Sequence, residues 1–140
     1  MVDPGVVAGL LSTTRAYVGF LKEASKMPLE EFKRNQERQL AVLHALQLAI
    51  EGCLSVGSHI IGSEGYGTPK DYAGVFEILA SRGVLEREFA DRLKKMAGFR
   101  NRIVHVYWDV DLDEVHAILQ RDLGDFDEFI SVVGGLLNGH

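Results

Sequence analysis

The stretch LAVLHALQLAIEGCLSVGSHII, residues 40–61, places apolar residues three or four positions apart over about six turns of helix. Side chains at that spacing share one face of an α-helix, whereas a strand would alternate polar and apolar residues. The apolar face comprises Leu40, Leu43, Leu46, Ile50, Cys53, Leu54, Gly57, Ile60 and Ile61. One neighbouring helix cannot cover a face this wide, so we expect this helix to pack against several others.

Helical spacing continues on the N-terminal side of this stretch. A first helix is predicted over residues 5–26, and Pro28 interrupts it because proline lacks the backbone N–H that a helix interior requires. Pro28 also suits the first turn of a second helix, where Glu30 and Glu31 favour the positive end of the helix dipole. The second helix is therefore predicted to run from Pro28 to about residue 61.

Two further helices are predicted on the C-terminal side, after a glycine-rich break at residues 62–67. Thr68 and Pro69 suit the N-cap and the first residue of a third helix, which Gly83 closes. A fourth helix is predicted over about residues 86–106. Its inward side chains are predicted to be Phe89, Leu93, Met96, Ile103 and Val104.

A fifth helix begins at a capping-box pattern, in which Asp111 and Glu114 stand three positions apart before an apolar stripe. The stripe comprises Val115, Ile118, Leu119, Leu123, Phe126, Phe129, Ile130, Val133 and Leu137. Runs of β-branched residues between turn signals, which indicate strands, are scarce throughout. The sequence therefore predicts an all-α fold, a single domain over residues 1–140 built as an up-and-down bundle of about five helices.

The composition indicates a chain that folds without disulfide bonds. Hydrophobic residues make up 46% of the 140 residues, and the one cysteine, Cys53, cannot form an internal disulfide. Cys53 lies in an apolar helical stretch, so we expect a buried free thiol. No uninterrupted apolar run approaches about 18 residues, and the N-terminus lacks the basic start of a secretory signal. We therefore expect a soluble, cytoplasmic protein with no membrane partner.

Net charge argues against a broad nucleic-acid-binding surface. The chain has 15 basic and 20 acidic residues and a formal charge of −5, where proteins that coat nucleic acid are usually basic. A small local basic site remains compatible with the sequence, because seven lysines and arginines fall within residues 82–102. Acidic residues are interleaved with them, so the same stretch also fits a solvated helix face. The sequence leaves both interpretations open.

Three sequence patterns resemble metal-binding or nucleotide-binding motifs but lack residues that those motifs require. The glycines of residues 62–67 follow no strand and precede no Gly-Lys-Ser/Thr, which a phosphate-binding loop requires. An acidic cluster resembles the start of a calcium loop but has Glu114 in the glycine position; it comprises Asp109, Asp111 and Asp113. Three scattered histidines lack a partner at metal-ligand spacing: His44, His59 and His116. We therefore predict no metal site and no cofactor.

The chemically informative stretch is GFRNRIVHVYW, residues 98–108, at the predicted end of the fourth helix. On a regular helix Asn101 and His105 share a face, whereas Arg100 is turned from His105 by about 140°. Arg100 can then act beside His105 only by reaching around the helix, through a distortion, or from a second subunit. An extended exit after His105 would bring Tyr107 to the same side.

The same residues also admit a purely structural interpretation. His105 and Arg102 would interact favourably with exposed carbonyls at the end of the helix. Tyr107 and Trp108 would then be core or boundary aromatics. Spacing alone does not decide between the structural and the catalytic interpretation.

The pattern Arg-x4-His-x-Tyr, formed by Arg100, His105 and Tyr107, resembles the signature of the HepT family of HEPN-domain toxins. Asn101 stands where that family usually has asparagine, and Gly-Phe at residues 98–99 precedes the motif. Flanking positions extend the resemblance over roughly residues 30–133: Pro69, Tyr72, Phe76 and Leu79 before the motif, and Asp111, Val115 and Ile118 after it.

The resemblance implies a HEPN-like helical homodimer whose two motifs line one cleft and cleave RNA without a metal ion. In that cleft His105 is the general acid and base, and Arg100 stabilises charge on the phosphate. Asn101 would orient His105 or contact phosphate, and Arg102 would assist RNA binding. The resemblance further implies that an MntA-like minimal nucleotidyltransferase antitoxin transfers AMP to Tyr107, which blocks RNA by charge and bulk.

Two other classes of function use the same residues. A non-catalytic HEPN module would bind a nucleotidyltransferase partner or a nucleotide in the cleft, and a purely structural dimer would bind neither. Hydrolysis of RNA that is lost on His105→Ala separates the ribonuclease from both. The acidic net charge favours a narrow substrate, such as a structured RNA end or loop.

Overall fold

The chain is a bundle of helices in the computed structural model, which describes residues 1–138. These residues form seven α-helices: α1 (Pro4–Ala24), α2 (Leu29–Lys33), α3 (Gln36–Glu64), α4 (Tyr72–Ser81), α5 (Arg87–Val106), α6 (Leu112–Arg121) and α7 (Gly124–Asn138). A 3₁₀ turn, Tyr107–Asp109, follows α5, and residues 1–138 contain no strand. The predicted all-α class is therefore confirmed. The last two residues of the predicted domain lie outside the described part.

Helix α3 is the centre of the bundle. Helices α1, α2, α4, α5 and α7 all pack against it, as the wide apolar stripe predicts. Every member of that stripe is buried except Leu40, which is 54% exposed near the start of the helix. The core of the protein is therefore built around residues 42–61.

Two glycines allow neighbouring helices to approach α3 closely. A Cβ atom on Gly52 would lie 2.0 Å from Oγ1 of Thr14 on α1, and a Cβ atom on Gly57 would lie 2.7 Å from a methyl carbon of Val75 on α4. Both distances are far inside van der Waals contact, so a larger residue would push α1 or α4 outward. The close approach of α4 to α3 matters because the candidate site lies where they meet.

The predicted second helix is two helices. Helix α2 ends at Lys33, and α3 begins after Asn35, whose Oδ1 accepts a hydrogen bond from the backbone N–H of Arg38 at 2.9 Å. The asparagine side chain accepts a hydrogen bond from a backbone N–H group at the start of a helix, which makes asparagine a favoured N-cap. The expectation of one continuous helix from Pro28 to residue 61 is therefore wrong.

The third helix begins three residues later than predicted. Asp71, and not Thr68, is its N-cap: Oδ1 of Asp71 accepts from the backbone N–H of Gly74 at 2.7 Å. An ionised carboxylate is a stronger acceptor than a hydroxyl and is favoured by the positive end of the helix dipole. Pro69 therefore lies in the segment before α4 and not in the helix.

The predicted fifth helix is divided into α6 and α7. Asp111 caps α6 by accepting from the backbone N–H of Asp113 at 2.8 Å, but Glu114 bonds to Arg102 and does not complete a capping box. Hydrogen bonds between residues three apart form a tight turn at residues 122–126. Aspartate and glycine in this turn are poor helix formers, which explains the break.

One predicted core residue of α5 faces solvent. Val104 is 37% exposed, whereas Phe89, Leu93 and Ile103 are buried as predicted and Met96 is partly buried. Val104 lies about 100° around the helix from Ile103, which takes it beyond the edge of the buried stripe.

The interior position of α3 accounts for two further properties. Cys53 is a buried free thiol, as predicted, and burial raises its pKa to about 12. By length and composition α3 would also suit a membrane span, but 56% of its most apolar window is buried inside the bundle. Its apolar character is therefore explained by its place in the core.

Candidate active site

The motif stretch forms the C-terminal end of α5 and the 3₁₀ turn that follows. Phe99 and Ile103 are buried and anchor this end of the helix in the core. At Val106 the backbone leaves the helical conformation, with φ −141° and ψ 41°, and residues 107–109 continue as the turn. The helix therefore ends next to His105, but the extended exit considered from the sequence is wrong.

Arg100 is held by three side chains. Its Nε and Nη2 both donate to Oε2 of Glu51 on α3, at 2.8 and 2.7 Å, and its Nη1 donates to Oδ1 of Asn101 at 3.2 Å. The guanidinium also lies over the ring of Tyr72, 4.6 Å from the ring centre. Only 13% of the Arg100 side chain is exposed. The cation is therefore fixed in position before any ligand binds.

Glu51 is a site residue that the motif did not reveal. Besides Arg100, it accepts a hydrogen bond from Nε2 of Gln47 at 3.2 Å. The sequence did carry a signal, because Glu51 is the only aspartate, glutamate, lysine or arginine within residues 40–61. A lone carboxylate inside an apolar helix requires a partner, and that partner is Arg100.

His105 and Asn101 lie in a shallow groove between α5 and the start of α4. The groove has a volume of about 520 Å³ and is lined by Ser58, Pro69, Lys70, Asp71, Tyr72, Val75, Asn101 and His105. Arg100 does not line the groove, but it contacts two residues that do, Tyr72 and Asn101. Tyr72 and Asn101 therefore link Arg100 to the groove that contains His105.

Arg102 belongs to a different part of the surface. Its Nη1 and Nη2 donate to the two carboxylate oxygens of Glu114 on α6, at 2.9 and 2.8 Å, and this pairing raises the pKa of Arg102. The pair lines a second cavity of about 700 Å³ that shares no residue with the His105 groove. The position of Arg102 gives no support to an RNA contact; the ion pair ties α5 to α6.

Tyr107 and Trp108 stand exposed on the 3₁₀ turn. The side chains are 57% and 72% exposed, and the two rings meet edge to face with their centres 5.4 Å apart. Their interpretation as core or boundary aromatics is therefore wrong. Tyr107 is accessible to a modifying enzyme, as the family resemblance requires.

Surface ion pairs engage much of the basic stretch of residues 82–102. Arg87 and Lys94 both pair with Glu77, and Arg92 pairs with three carboxylates of its own and a neighbouring helix. Hydrogen bonds from Arg87 and Lys94 lower the pKa of Glu77 to about 2. These pairs favour the interpretation of this stretch as a solvated helix face.

The described residues contain no group of three or more histidine, cysteine, aspartate and glutamate side chains that could hold a metal ion. The polar residues that line the groove with His105 include one carboxylate, Asp71, besides Asn101, Lys70 and Ser58. Transition metals and zinc need several nitrogen, sulfur or carboxylate ligands in one place. The groove itself contains the imidazole of His105, and the guanidinium of Arg100 contacts two of its lining residues, Tyr72 and Asn101.

Comparison with known sequences identifies the family. A family model described as ribonuclease HepT-like matches residues 14–133. The chain is 35% identical over 103 residues to the mRNA nuclease HepT of Shewanella oneidensis, covering 74% of this chain and 77% of that protein. It is 24% identical over 136 residues to the tRNA nuclease HepT of Aphanizomenon flos-aquae, covering 97% of this chain and 92% of that protein.

Comparison with solved structures agrees with the family found by sequence. The fold matches, with a TM-score of 0.87 and 29% identity, a tri-AMPylated Shewanella oneidensis HEPN toxin in complex with an MNT antitoxin. That match covers 96% of this chain and 99% of the other. The chain therefore belongs to the HepT-like ribonuclease family. This confirms the resemblance drawn from the motif and the predicted class of ribonuclease toxin.

Proposed function

We propose that His105 and Arg100 are the catalytic residues of this ribonuclease and that cleavage needs no metal ion. The observation that carries the proposal is a guanidinium fixed by Glu51 and Tyr72 next to a groove in which His105 is exposed. A preorganised cation stabilises charge that develops in a transition state without any further reorganisation. An exposed imidazole can exchange a proton with a substrate at neutral pH.

The proposed reaction is internal transfer at one phosphodiester. The ribose 2′-oxygen loses its proton to His105 and attacks phosphorus, the P–O5′ bond breaks, and the leaving 5′-oxygen gains a proton. The products are a 2′,3′-cyclic phosphate and a 5′-hydroxyl. Arg100 stabilises the additional negative charge on the non-bridging oxygens of the phosphorane, and Asn101 orients His105 or contacts phosphate.

A homodimer suits this chemistry, because one proton is removed while another is delivered on the opposite side of phosphorus. Two copies of His105 in one cleft would supply a base and an acid together. Two exposed valines at the end of α5, Val104 and Val106, offer apolar contact area next to the motif for a second copy.

The proposed partner is an MntA-like minimal nucleotidyltransferase antitoxin acting in the cytoplasm. It would join the phenol oxygen of Tyr107 to the α-phosphate of ATP and release pyrophosphate. The related Shewanella oneidensis toxin is tri-AMPylated and is held by an MNT antitoxin. AMP on Tyr107 would place a phosphate charge and a nucleotide's bulk beside His105, where they exclude RNA.

The substrate is proposed as RNA without a finer assignment, since two of the relatives are named for different RNA classes, mRNA and tRNA. The net charge of −5 favours a short contact with few phosphates. Arg102 contributes little to that contact, because Glu114 already occupies both of its terminal nitrogens.

The test combines growth with intact mass. Induced wild-type protein should arrest growth, and His105→Ala should not. Co-expression of a cognate nucleotidyltransferase should relieve the arrest and add the mass of one or more AMP groups. Tyr107→Phe should keep the arrest but escape both relief and added mass, whereas the control Tyr66→Phe should behave as wild type. An AMP mass retained in Tyr107→Phe would place the acceptor elsewhere.

A further inference from the structure

Trp108 is the only tryptophan of the chain, and it is 72% exposed. Among the described large apolar side chains only the N-terminal Met1 is more exposed. Val104, Val106 and Tyr107 are exposed with it, within five positions of the chain. A cluster of exposed apolar side chains, unlike a single one, indicates a binding surface.

The position of Trp108 relates it to the catalytic groove. It lies three residues after His105, in the 3₁₀ turn that a hydrogen bond from the backbone N–H of Val110 to the carbonyl of Tyr107 closes. The edge-to-face contact with the Tyr107 ring restrains the indole further. The indole is therefore restrained on an ordered turn, three residues along the chain from His105.

The charged side chains near Trp108 favour different positions for the phosphate and the base of a nucleotide. Asp109 and Asp111 are exposed directly after the indole and would repel a phosphate. Positive charge lies instead at Lys70, which lines the groove beside Asp71, and at Arg100 behind Tyr72. A ribonucleotide would therefore place its phosphate toward Arg100 and Lys70 and its base toward Trp108.

We propose that Trp108 stacks on an unpaired base of the RNA next to the cleaved linkage, and that this contact makes the enzyme select single-stranded segments. The inference rests on the proposed ribonuclease function and adds a specificity residue and a substrate class to it. Every base offers a flat face, so stacking tolerates any sequence. A base in a duplex is already stacked and paired, so it cannot reach Trp108 unless the duplex opens.

The single tryptophan makes the contact directly measurable. Full-length His105→Ala protein, which should bind RNA without cutting it, is titrated with an unlabelled 12-nucleotide oligouridine while indole emission is recorded. Single-stranded RNA should quench the emission, because a stacked base would be in direct contact with the ring. A 12-base-pair RNA duplex at the same concentration should cause a much smaller change.

A matched control moves the indole away from the site. Leu40 is exposed on α3, eighteen residues before Ser58 of the groove, or about 27 Å along the helix. The variant Trp108→Phe/Leu40→Trp in the His105→Ala background should bind a fluorescently labelled oligouridine with little change in tryptophan emission. Quenching of equal size at position 40 would show a nonspecific effect and overturn the assignment.

Cleavage kinetics give the second readout. Trp108→Ala should raise KM for a single-stranded substrate about tenfold or more, with kcat within about twofold of wild type, because stacking contributes to binding. Trp108→Phe keeps an aromatic face and should recover most of the lost affinity. Equal KM for wild type and Trp108→Ala would contradict the proposal.

The outcomes also separate this inference from the ribonuclease proposal. If wild type cleaves RNA but single strands leave the emission of Trp108 unchanged, the stacking role is wrong and the ribonuclease role stands. If single strands quench Trp108 but wild type cleaves nothing, stacking stands and catalysis fails. Emission that shifts on dilution of the protein alone, and not with RNA, would make Trp108 a subunit contact and overturn the proposal.

Discussion

Arg100 donates two hydrogen bonds, from Nε and Nη2, to one and the same oxygen of Glu51, a residue 49 positions earlier on α3. Both side chains are largely withdrawn from water, and Tyr72 covers a face of the guanidinium. A charge pair of this kind has a large desolvation cost, so its geometry has to be good. The pair connects the central core helix to the Arg-x4-His-x-Tyr motif on α5.

Removal of Glu51 should therefore reduce catalysis more than substrate binding. Glu51→Ala leaves the Arg100 cation without its partner, and we expect kcat to fall about tenfold to a hundredfold as the guanidinium moves. The lost charged hydrogen bonds should also lower the free energy of unfolding by about 1–3 kcal/mol. Glu51→Gln keeps an acceptor oxygen and should lose less of both. Steady-state cleavage and urea unfolding measure the two effects.

Glu37→Ala is the matched control for the Glu51 variants, since it removes an acid from the first turn of the same helix. It should leave kcat unchanged. If Glu51→Ala also left kcat unchanged, Glu51 would have no role in positioning Arg100.

The ion pair between Arg102 and Glu114 should act on stability and not on cleavage. Both side chains are partly exposed, so we expect Arg102→Ala and Glu114→Ala each to destabilise the fold by about 0.5–1 kcal/mol. The double variant should be little worse than either single one, because both changes remove the same pair. Thermal unfolding of wild type, the two single variants and the double variant measures the coupling energy between Arg102 and Glu114. A tenfold rise in KM for Arg102→Ala alone would instead support the direct RNA contact predicted from the sequence.

Protonation of Glu77 should destabilise the fold in a defined range of pH. Its folded pKa of about 2 lies below its ordinary value of 4.5, because Arg87 and Lys94 donate to the ionised carboxylate. The stabilisation is therefore complete above about pH 4.5 and disappears as pH falls toward 2. Glu77→Gln should be less stable than wild type at pH 7, and the difference should vanish near pH 2.

Urea unfolding at pH 7, 4.5, 3 and 2 follows this difference. Glu64→Gln is the control, because Glu64 is an exposed glutamate with no described salt bridge. It should not lose stability at pH 7. A difference between Glu77→Gln and wild type that is constant from pH 7 to pH 2 would contradict the depressed pKa.

Mixed dimers test whether two subunits share one cleft. Arg100→Ala and His105→Ala proteins should each be inactive, but a mixed dimer keeps one arginine and one histidine around the shared cleft. After the two are unfolded together and refolded, about half of the dimers should be mixed. Part of the activity should return, limited by the single His105 that remains to act as base or acid. Mixing the two proteins without subunit exchange is the control. No recovered activity in dimers shown to be mixed would mean that each subunit needs both of its own residues.

Local chemistry explains which parts of the fold were predictable. The spacing of apolar residues indicated the central helix and the all-α class, because burial of one face is a property of consecutive residues. The breaks at Asn35 and residues 122–126 were missed, since a capping side chain interrupts a helix without changing its apolar spacing. Asp71 was missed as an N-cap because Thr68 and Pro69 offered an equally good pattern three residues earlier.

The candidate site was predictable only in part for a different reason. Residues 100–107 are consecutive, so their grouping is visible in the sequence. The partners of those residues come from distant segments: Glu51 and Tyr72 for Arg100, and Glu114 for Arg102. Tertiary packing decides which partner each arginine meets. Because of that packing, Arg100 is fixed beside the groove, whereas Arg102 joins α5 to α6.

Cleavage of RNA by purified protein in excess EDTA, compared between wild type and His105→Ala, is the most direct test of the proposed mechanism. Wild type should cut RNA and leave 2′,3′-cyclic phosphate ends, and His105→Ala should be slower by about a hundredfold or more, as for loss of a general acid and base. Cleavage by wild type that EDTA abolishes, or that His105→Ala retains in full, would contradict a metal-independent reaction at His105.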